Sequence, residues 1–362
     1  MGRVLVAMSG GVDSSVTALL LKQQGYDCVG CTMKLFGNET LPPRTDKSCC
    51  SLDDVEDARG VACRLGMPYY VFNLSDLFRE KVMDPFTESY QRGWTPNPCI
   101  DCNRYLKFEM LYERALLLSC DAIATGHYAR VVREGERYFL KKALDGSKDQ
   151  SYVLYSLTQE QLSRTLFPLG ELRKQETRML ADQAGFRNAE KPDSQDICFV
   201  PDGDYASFIE RHTGKRFPEG DFIRPDGTVL GRHKGIIHYT VGQRRGLGVS
   251  AKERLYVSAI DPVRNTVTLT EEEGLMIDTV FAGDVNIISG EALTGPIRAD
   301  VKLRYRQAAR PATVYQEDHT LIICFDEPQR APAPGQAAVL YDGDTVLGGG
   351  TILSSSRRKE RI

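Results

Sequence analysis

The stretch "RVLVAMSGGVDSSVTALLLKQQG", residues 3 to 25, constrains the fold more than any other part of the chain. Its first six residues are an apolar run that reads as a buried strand. From Asp13 onward apolar residues recur at helical spacing, and Gly25 is a natural C-cap. A strand, a glycine turn and a helix in immediate succession open a strand–helix–strand crossover, the repeating unit of parallel α/β sheets.

The pattern continues. "YDCVGCTMKLF" reads as a second strand and "SLDDVEDARGVACRLG" as a helix N-capped by Ser51. "MPYYVFNL" is a third strand, and the helix "NRYLKFEMLYERALLLS" leads into a fourth, "CDAIATGHYA". This alternation predicts a doubly wound parallel sheet. Near residue 200 the pattern changes: after the short helix in "PDGDYASFIERHTG" come short strands between glycine turns. "ERLYVSAIDPVRNTVTLT" is a hairpin, and "YDGD" turns another. A chain of 362 residues exceeds one ordinary core. The expected units are an α/β catalytic domain over 1–205, a small β-rich connector over 206–281 and a C-terminal β-barrel over 282–362.

Composition narrows the class. Hydrophobic residues at 41% and charged residues at 26% are globular values, and no apolar run nears the roughly 18 residues of a membrane span. The start lacks a signal peptide's apolar region, so the expected location is the cytoplasm. There, ten cysteines read as buried thiols, ligands or catalysts rather than as a disulfide framework. A net charge of −3 means that any nucleic-acid surface must be local. Basic residues do cluster at Arg232, His233 and Lys234, at Arg244 and Arg245, and along "KLRYRQAAR".

"MSGGVDSS", residues 8 to 15, sits between the first strand and the first helix, where α/β sheets bind ligands. Two glycines let backbone approach an anion, and amides at a helix start donate to it. The Gly-Lys-Ser/Thr ending of a Walker loop is missing, and so is a dinucleotide fingerprint's third glycine. "SGGVDS" resembles the PP-loop of ATP pyrophosphatases, which attach AMP to a substrate oxygen and release pyrophosphate. That resemblance names the activation chemistry and leaves the substrate open.

Further motifs specify it. "TGHYAR" (125–130), "KDQSYVL" (148–154), "SQDICFVPDGDY" (194–205), "YTVGQRRGLG" (239–248) and "LRYRQ" (303–307) stand in the order found in the tRNA-specific 2-thiouridylases, which the chain resembles from end to end. The resemblance implies an adenine nucleotide alpha hydrolase-like PP-loop domain. It also implies an ATP-dependent enzyme that replaces O2 of a wobble uridine in tRNA with sulfur. Ala7, Met8, Ser9, Gly10, Gly11, Val12, Asp13 and Ser14 would hold ATP phosphates, with Mg²⁺ offsetting their charge, and Met33 and Gly126 would line the adenosine pocket. Asn97 and Pro98 would face the target base. His127, Lys148, Asp149, Gln150, Arg304, Tyr305 and Gln336 would contact tRNA. Two rival readings are another PP-loop ligase acting on a small metabolite and an RNA-binding protein with a vestigial ATP loop.

The cysteines divide. Cys28 and Cys31 lie three apart in a strand, on opposite faces, and read as core, as do Cys63, Cys120 and Cys324. Cys49 and Cys50 are ambiguous. Cys99 and Cys102 follow Pro96 and Pro98, which are expected to keep them out of regular structure ahead of a helix beginning at Asn103. By the resemblance, Cys198 is their partner. Many thiouridylases carry Asp at the position of Cys99. In those, the counterpart of Cys102 is the nucleophile and the counterpart of Cys198 carries a persulfide from a desulfurase, with a transient disulfide between the two. With cysteine at 99, the three thiols Cys99, Cys102 and Cys198 suit a [4Fe–4S] cluster delivering sulfide. The cluster is the favoured expectation and the persulfide its alternative.

Overall fold

The computed structural model describes residues 2–36, 52–193 and 197–357. The expected Ser51 cap, the Cys49–Cys50 pair and residues 194–196 of the "SQDICFV" motif lie outside them.

The first unit contributes strands β1 (Arg3–Ala7), β2 (Asp27–Lys34), β3 (Tyr69–Asn73), β4 (Ala122–Ala124), β5 (Ala129–Glu134), β6 (Arg137–Lys142) and β7 (Thr165–Leu166). Five of them form an all-parallel sheet in the order β3-β2-β1-β4-β7. Val4, Leu5 and Val6 are essentially inaccessible, as a central strand covered on both faces requires. Helix α1 (Val12–Gln23) buries Val16, Ala18 and Leu21 in a cluster with Ala58, Val61 and Ala62 of α2 (Leu52–Arg64). Gly25 follows α1 at φ +86°, the left-handed conformation foreseen for it.

Two expectations are corrected here. The fourth strand is only three residues long, because the chain leaves the sheet at Thr125. The helix expected from Asn103 starts at Pro98, so Cys99 and Cys102 lie within helical structure. Asn97 caps it, its side chain accepting from Cys99 N at 3.2 Å. Pro98 takes the first helical position, where its fixed φ suits the helix and its missing N–H costs nothing. The run is α-helical over Pro98–Asp101, π-wound over Cys102–Met110 and α-helical again over Leu111–Leu117.

The connector strands β8 (Gly220–Ile223), β9 (Val229–His233), β10 (Tyr256–Asp261) and β11 (Thr266–Thr270) form a sheet in the order β10-β11-β8-β9. Its Phe208, Phe222, Val257 and Val267 share one core with Phe78, Phe86 and Leu106 of the first unit. The connector is thereby docked on the cysteine-bearing helix.

The last strands are β12 (Met276–Ile287), β13 (Ile297–Lys302), β14 (Arg310–Glu317), β15 (Thr320–Arg330), β16 (Ala337–Asp342) and β17 (Thr345–Ser356). They pair antiparallel in the cycle β12-β15-β14-β13-β16-β17 and back to β12, a closed barrel without open edges. Residue 282 lies inside β12. The hairpin β5–β6 of the first unit reaches the barrel through Lys141 and Thr345. Among the described residues no helix is long and apolar enough to cross a membrane.

Candidate active site

The loop between β1 and α1, residue 33 at the end of β2 and Gly126 just past β4 stand at the carboxyl ends of three adjacent strands. There the sheet order reverses, which is where such sheets bind ligands. The first bond of α1 runs from Ser15 N to Gly11 O, so the amides of residues 11 to 14 lie outside the helical ladder. Gly10, at φ +75°, is pressed on α2: a Cβ there would stand 2.3 Å from Asp54 O. Gly126 faces the amide edge of the loop, where a Cβ would come within 2.9 Å of Ser14 N. Ser14 Oγ accepts from Ser9 N at 3.1 Å and donates to Gly11 O at 3.0 Å, and Asn188 donates to Gly10 O and Ser15 Oγ, both at 2.9 Å. The loop thus offers free amides at a helix N-terminus, the arrangement that binds phosphate.

A charged network joins the loop at Asp13. Lys174 Nζ bridges Asp13 and Asp193, each at 2.7 Å, and Tyr128 Oη donates to Asp13 at 2.9 Å. Asp193 also receives Lys148 at 2.8 Å and Arg178 at 3.4 Å. Burial raises the Asp193 carboxyl, but Lys148 and Lys174 outweigh it and hold the group below the usual carboxylate range. Burial, reinforced by Asp13, pushes the Tyr128 phenol up.

The cysteine segment lies under the barrel. Thr95 N donates to Pro334 O at 2.8 Å, and Gln336 Nε2 donates to Thr95 O at 2.7 Å. Asn103 Nδ2 donates to Val153 O at 3.2 Å, and Arg104 pairs with Asp284 of β12. Cys99 is exposed, and burial first, then Asp149 and Cys99, push the phenol of Tyr305 in the barrel up. Cys102 and Cys198 are half-buried against one apolar cluster. Cys198 is anchored there by Phe199, whose ring stands 5.6 Å from Phe78 and 5.3 Å from Phe86. Between the two helical cysteines, burial pushes the Asp101 carboxyl up to about 7, with Arg104 opposing and Asp284 adding to the rise.

The expected site residues divide between exposed and buried positions. Among the described residues, no three His, Cys, Asp or Glu side chains are arranged to share a metal ion, so the expected Cys99–Cys102–Cys198 ligand set is not assembled. Cys99 lies on the exposed first turn of the helix, and Cys102 and Cys198 are half-buried. His127 is buried between the rings of Phe108 and Phe167, its Nδ1 2.6 Å from Thr125 Oγ1. Burial, with Lys107 adding to it, holds its pKa well below the usual histidine range. Asp149 caps the turn at Ser151, accepting from Ser151 Oγ at 2.8 Å, and Gln150 accepts from Tyr128 N at 2.9 Å. Arg304 donates to Val241 O and Ala331 O, stitching connector to barrel. Tyr305 is exposed. Met33 packs against the two cores on either side of it. Cys63, expected in the core, is exposed; Cys120 is buried and Cys324 half-buried. Lys174, Asp193, Asn188 and Asp284 were missed, because nothing in their local sequence distinguishes them from ordinary surface polar residues.

Three family models match the chain in succession: a tRNA methyl transferase HUP domain over residues 2–202, a tRNA methyl transferase PRC-barrel domain over 206–271 and an aminomethyltransferase beta-barrel domain over 277–352. Fold and site together define an ATP-using PP-loop enzyme. A protein of Clostridioides difficile (strain 630) named tRNA-specific 2-thiouridylase MnmA is 48% identical over 98% of both chains. One of Desulforamulus reducens (strain ATCC BAA-1160 / DSM 100696 / MI-1) with the same name is 50% identical over 99% of this chain and 98% of its own. A solved 4-thiouridine synthetase–RNA complex with bound ATP aligns at a TM-score of 0.38 and 20% identity, over 59% of this chain and 50% of that one. The chain belongs to the tRNA-specific 2-thiouridylase family.

Proposed function

We propose that this enzyme uses ATP to replace O2 of the wobble uridine of tRNA with sulfur, giving 2-thiouridine. The observation that carries the reading is the pairing, in one chain of this family, of a phosphate-type loop tied through Asp13 to Lys174 with a cysteine helix held beneath a barrel. The uridine oxygen attacks the α-phosphorus, the bond to the β-phosphate oxygen breaks, and pyrophosphate leaves. Residues 7 to 14 cradle the phosphates, Met33 and Gly126 border the adenosine, and Lys174 neutralises charge developing on the leaving group. Mg²⁺ would share that charge.

For sulfur delivery we favour the persulfide route, supported by Cys102 and Cys198 packing on one cluster. The outer sulfur of a Cys198 persulfide attacks C2 and AMP leaves. Cys102 thiolate then attacks the inner sulfur, the thiocarbonyl is released, and the Cys102–Cys198 disulfide awaits an external thiol. A cysteine desulfurase is the proposed donor and the cytoplasm the proposed location. Asn97 and Pro98 would meet the flipped base. Arg304, Tyr305, Gln336 and His127 are the proposed tRNA-side residues, and Lys148, paired with Asp193, is proposed for the ATP side. The proposed units are 1–205, 206–281 and 282–362.

The test is tRNA-dependent pyrophosphate release together with mass-spectrometric detection of 2-thiouridine. Release without tRNA would favour a small-metabolite ligase; none at all would favour a vestigial loop.

A further inference from the structure

We propose that the C-terminal barrel is a positioning element for sulfur transfer, gripping the cysteine segment at both ends through Asp284 and the 334–336 turn. The proposal rests on the thiolation reading above.

At the front end, Thr95 exchanges hydrogen bonds with Pro334 O and the Gln336 amide. Gly335, at φ +89°, leaves no slack: a Cβ there would stand 3.1 Å from the carbonyl carbon of Thr95. At the rear end Asp284 pairs with Arg104, two residues beyond Cys102. Asp284 gets there from an irregularity in β12. The register with β17 shifts between Gly283 and Asn286, and Asp284 itself sits at φ +48°. A left-handed backbone is unfavourable for a non-glycine residue, and a bulge re-aims side chains. Asn286 uses the same bulge to donate to Tyr155 O at 2.7 Å and Leu157 O at 3.1 Å.

Adhesion alone does not require these contacts. The barrel and the first unit already share an apolar core containing Tyr152, Leu154, Val339 and Tyr341. Asp284 is 58% exposed at its side chain, so water screens its ion pair and the pair adds little to stability. What the strained bulge does accomplish is directional: it fixes the helix that carries Cys99 and Cys102. Misplacing a reacting atom by about 1 Å can cost about a hundredfold in rate. A barrel that also carries the tRNA would thereby set the thiols in the same frame as the base.

The test uses the full-length enzyme with a tRNA transcript. Asp284→Gly removes the carboxylate without backbone strain, since glycine is at ease at this φ. After reduction, alkylation of Cys99 and Cys102 by iodoacetamide, followed by mass spectrometry, should change at least about threefold. Single-turnover 2-thiouridine formation should fall about tenfold, while tRNA affinity and pyrophosphate release stay within about twofold. Wild-type alkylation and thiolation rates in the variant would overturn the proposal. A parallel fall in binding, pyrophosphate release and thiolation would do so too, because it marks a general docking contact. If Asp284→Gly does not fold, Asp284→Asn, which tolerates the same φ, carries the comparison. A wild-type enzyme that makes no 2-thiouridine would sink the thiolation reading instead, and the alkylation comparison would still decide the barrel's grip.

Discussion

Lys174 Nζ stands 2.7 Å and 2.8 Å from the two carboxylate oxygens of Asp13, a residue 161 positions earlier in the phosphate loop. The lysine side chain is only 11% exposed, so its charge acts in a partly dry site. Lys174→Met should lower tRNA-dependent pyrophosphate release by about a hundredfold and destabilise the fold by about 1–3 kcal/mol, since it leaves Asp13 and Asp193 facing each other. tRNA affinity, read by filter binding, should change less than about twofold. Wild-type pyrophosphate release in the variant would remove Lys174 from the ATP site.

Lys148 separates two assignments. Its 2.8 Å pair with Asp193 puts it on the ATP side, whereas the motif reading gives it to tRNA. Lys148→Ala should raise the KM for ATP severalfold and leave the salt dependence of tRNA binding unchanged. A slope flatter by about one unit, with KM for ATP unaltered, would return Lys148 to the RNA.

Asp101 links stability to pH. Burial raises its folded-state pKa to about 7, against about 4 in an unfolded chain. A carboxyl raised in this way disfavours the fold once ionised, so its penalty grows as pH rises from about 4 to about 7 and is complete above that. Arg104 offsets part of the penalty; Asp284 and Tyr155 also face the group. Asp101→Asn should therefore stabilise the protein by about 1–3 kcal/mol at pH 8 and by little at pH 4.5. Thermal melts at the two pH values check this, and an equal effect at both would show that Asp101 ionises normally.

The cysteines make separable predictions. With a desulfurase and cysteine as sulfur source, Cys99→Asp should retain activity within about tenfold. Cys102→Ala and Cys198→Ala should each lose about a thousandfold or more, as removal of a nucleophile does. Anaerobically purified protein should lack stoichiometric iron and sulfide. An inactive Cys99→Asp enzyme, with iron present in wild type and lost in the variant, would reinstate the three-thiolate cluster.

Local pattern alone determined the strand–loop–helix start, the parallel sheet and the hairpin-rich C-terminal half. Periodicity and turn residues act over a few positions, and Gly25 and the "YDGD" turn behave as their side-chain chemistry demands. The phosphate loop was legible for the same reason: all its parts lie within eight residues. Tertiary structure decided what arrives from far away. Nothing near Lys174 says that it meets Asp13, and nothing near Asp284 says that a bulge in a barrel strand reaches Arg104 across 180 positions. Local pattern points the wrong way for the cysteine segment. Pro98 reads as a breaker, yet with Asn97 capping it and the barrel holding Thr95 it is the first residue of the helix. Proline removes one donor and fixes one angle; whether that stops a helix or starts one depends on which partners the folded chain brings to it.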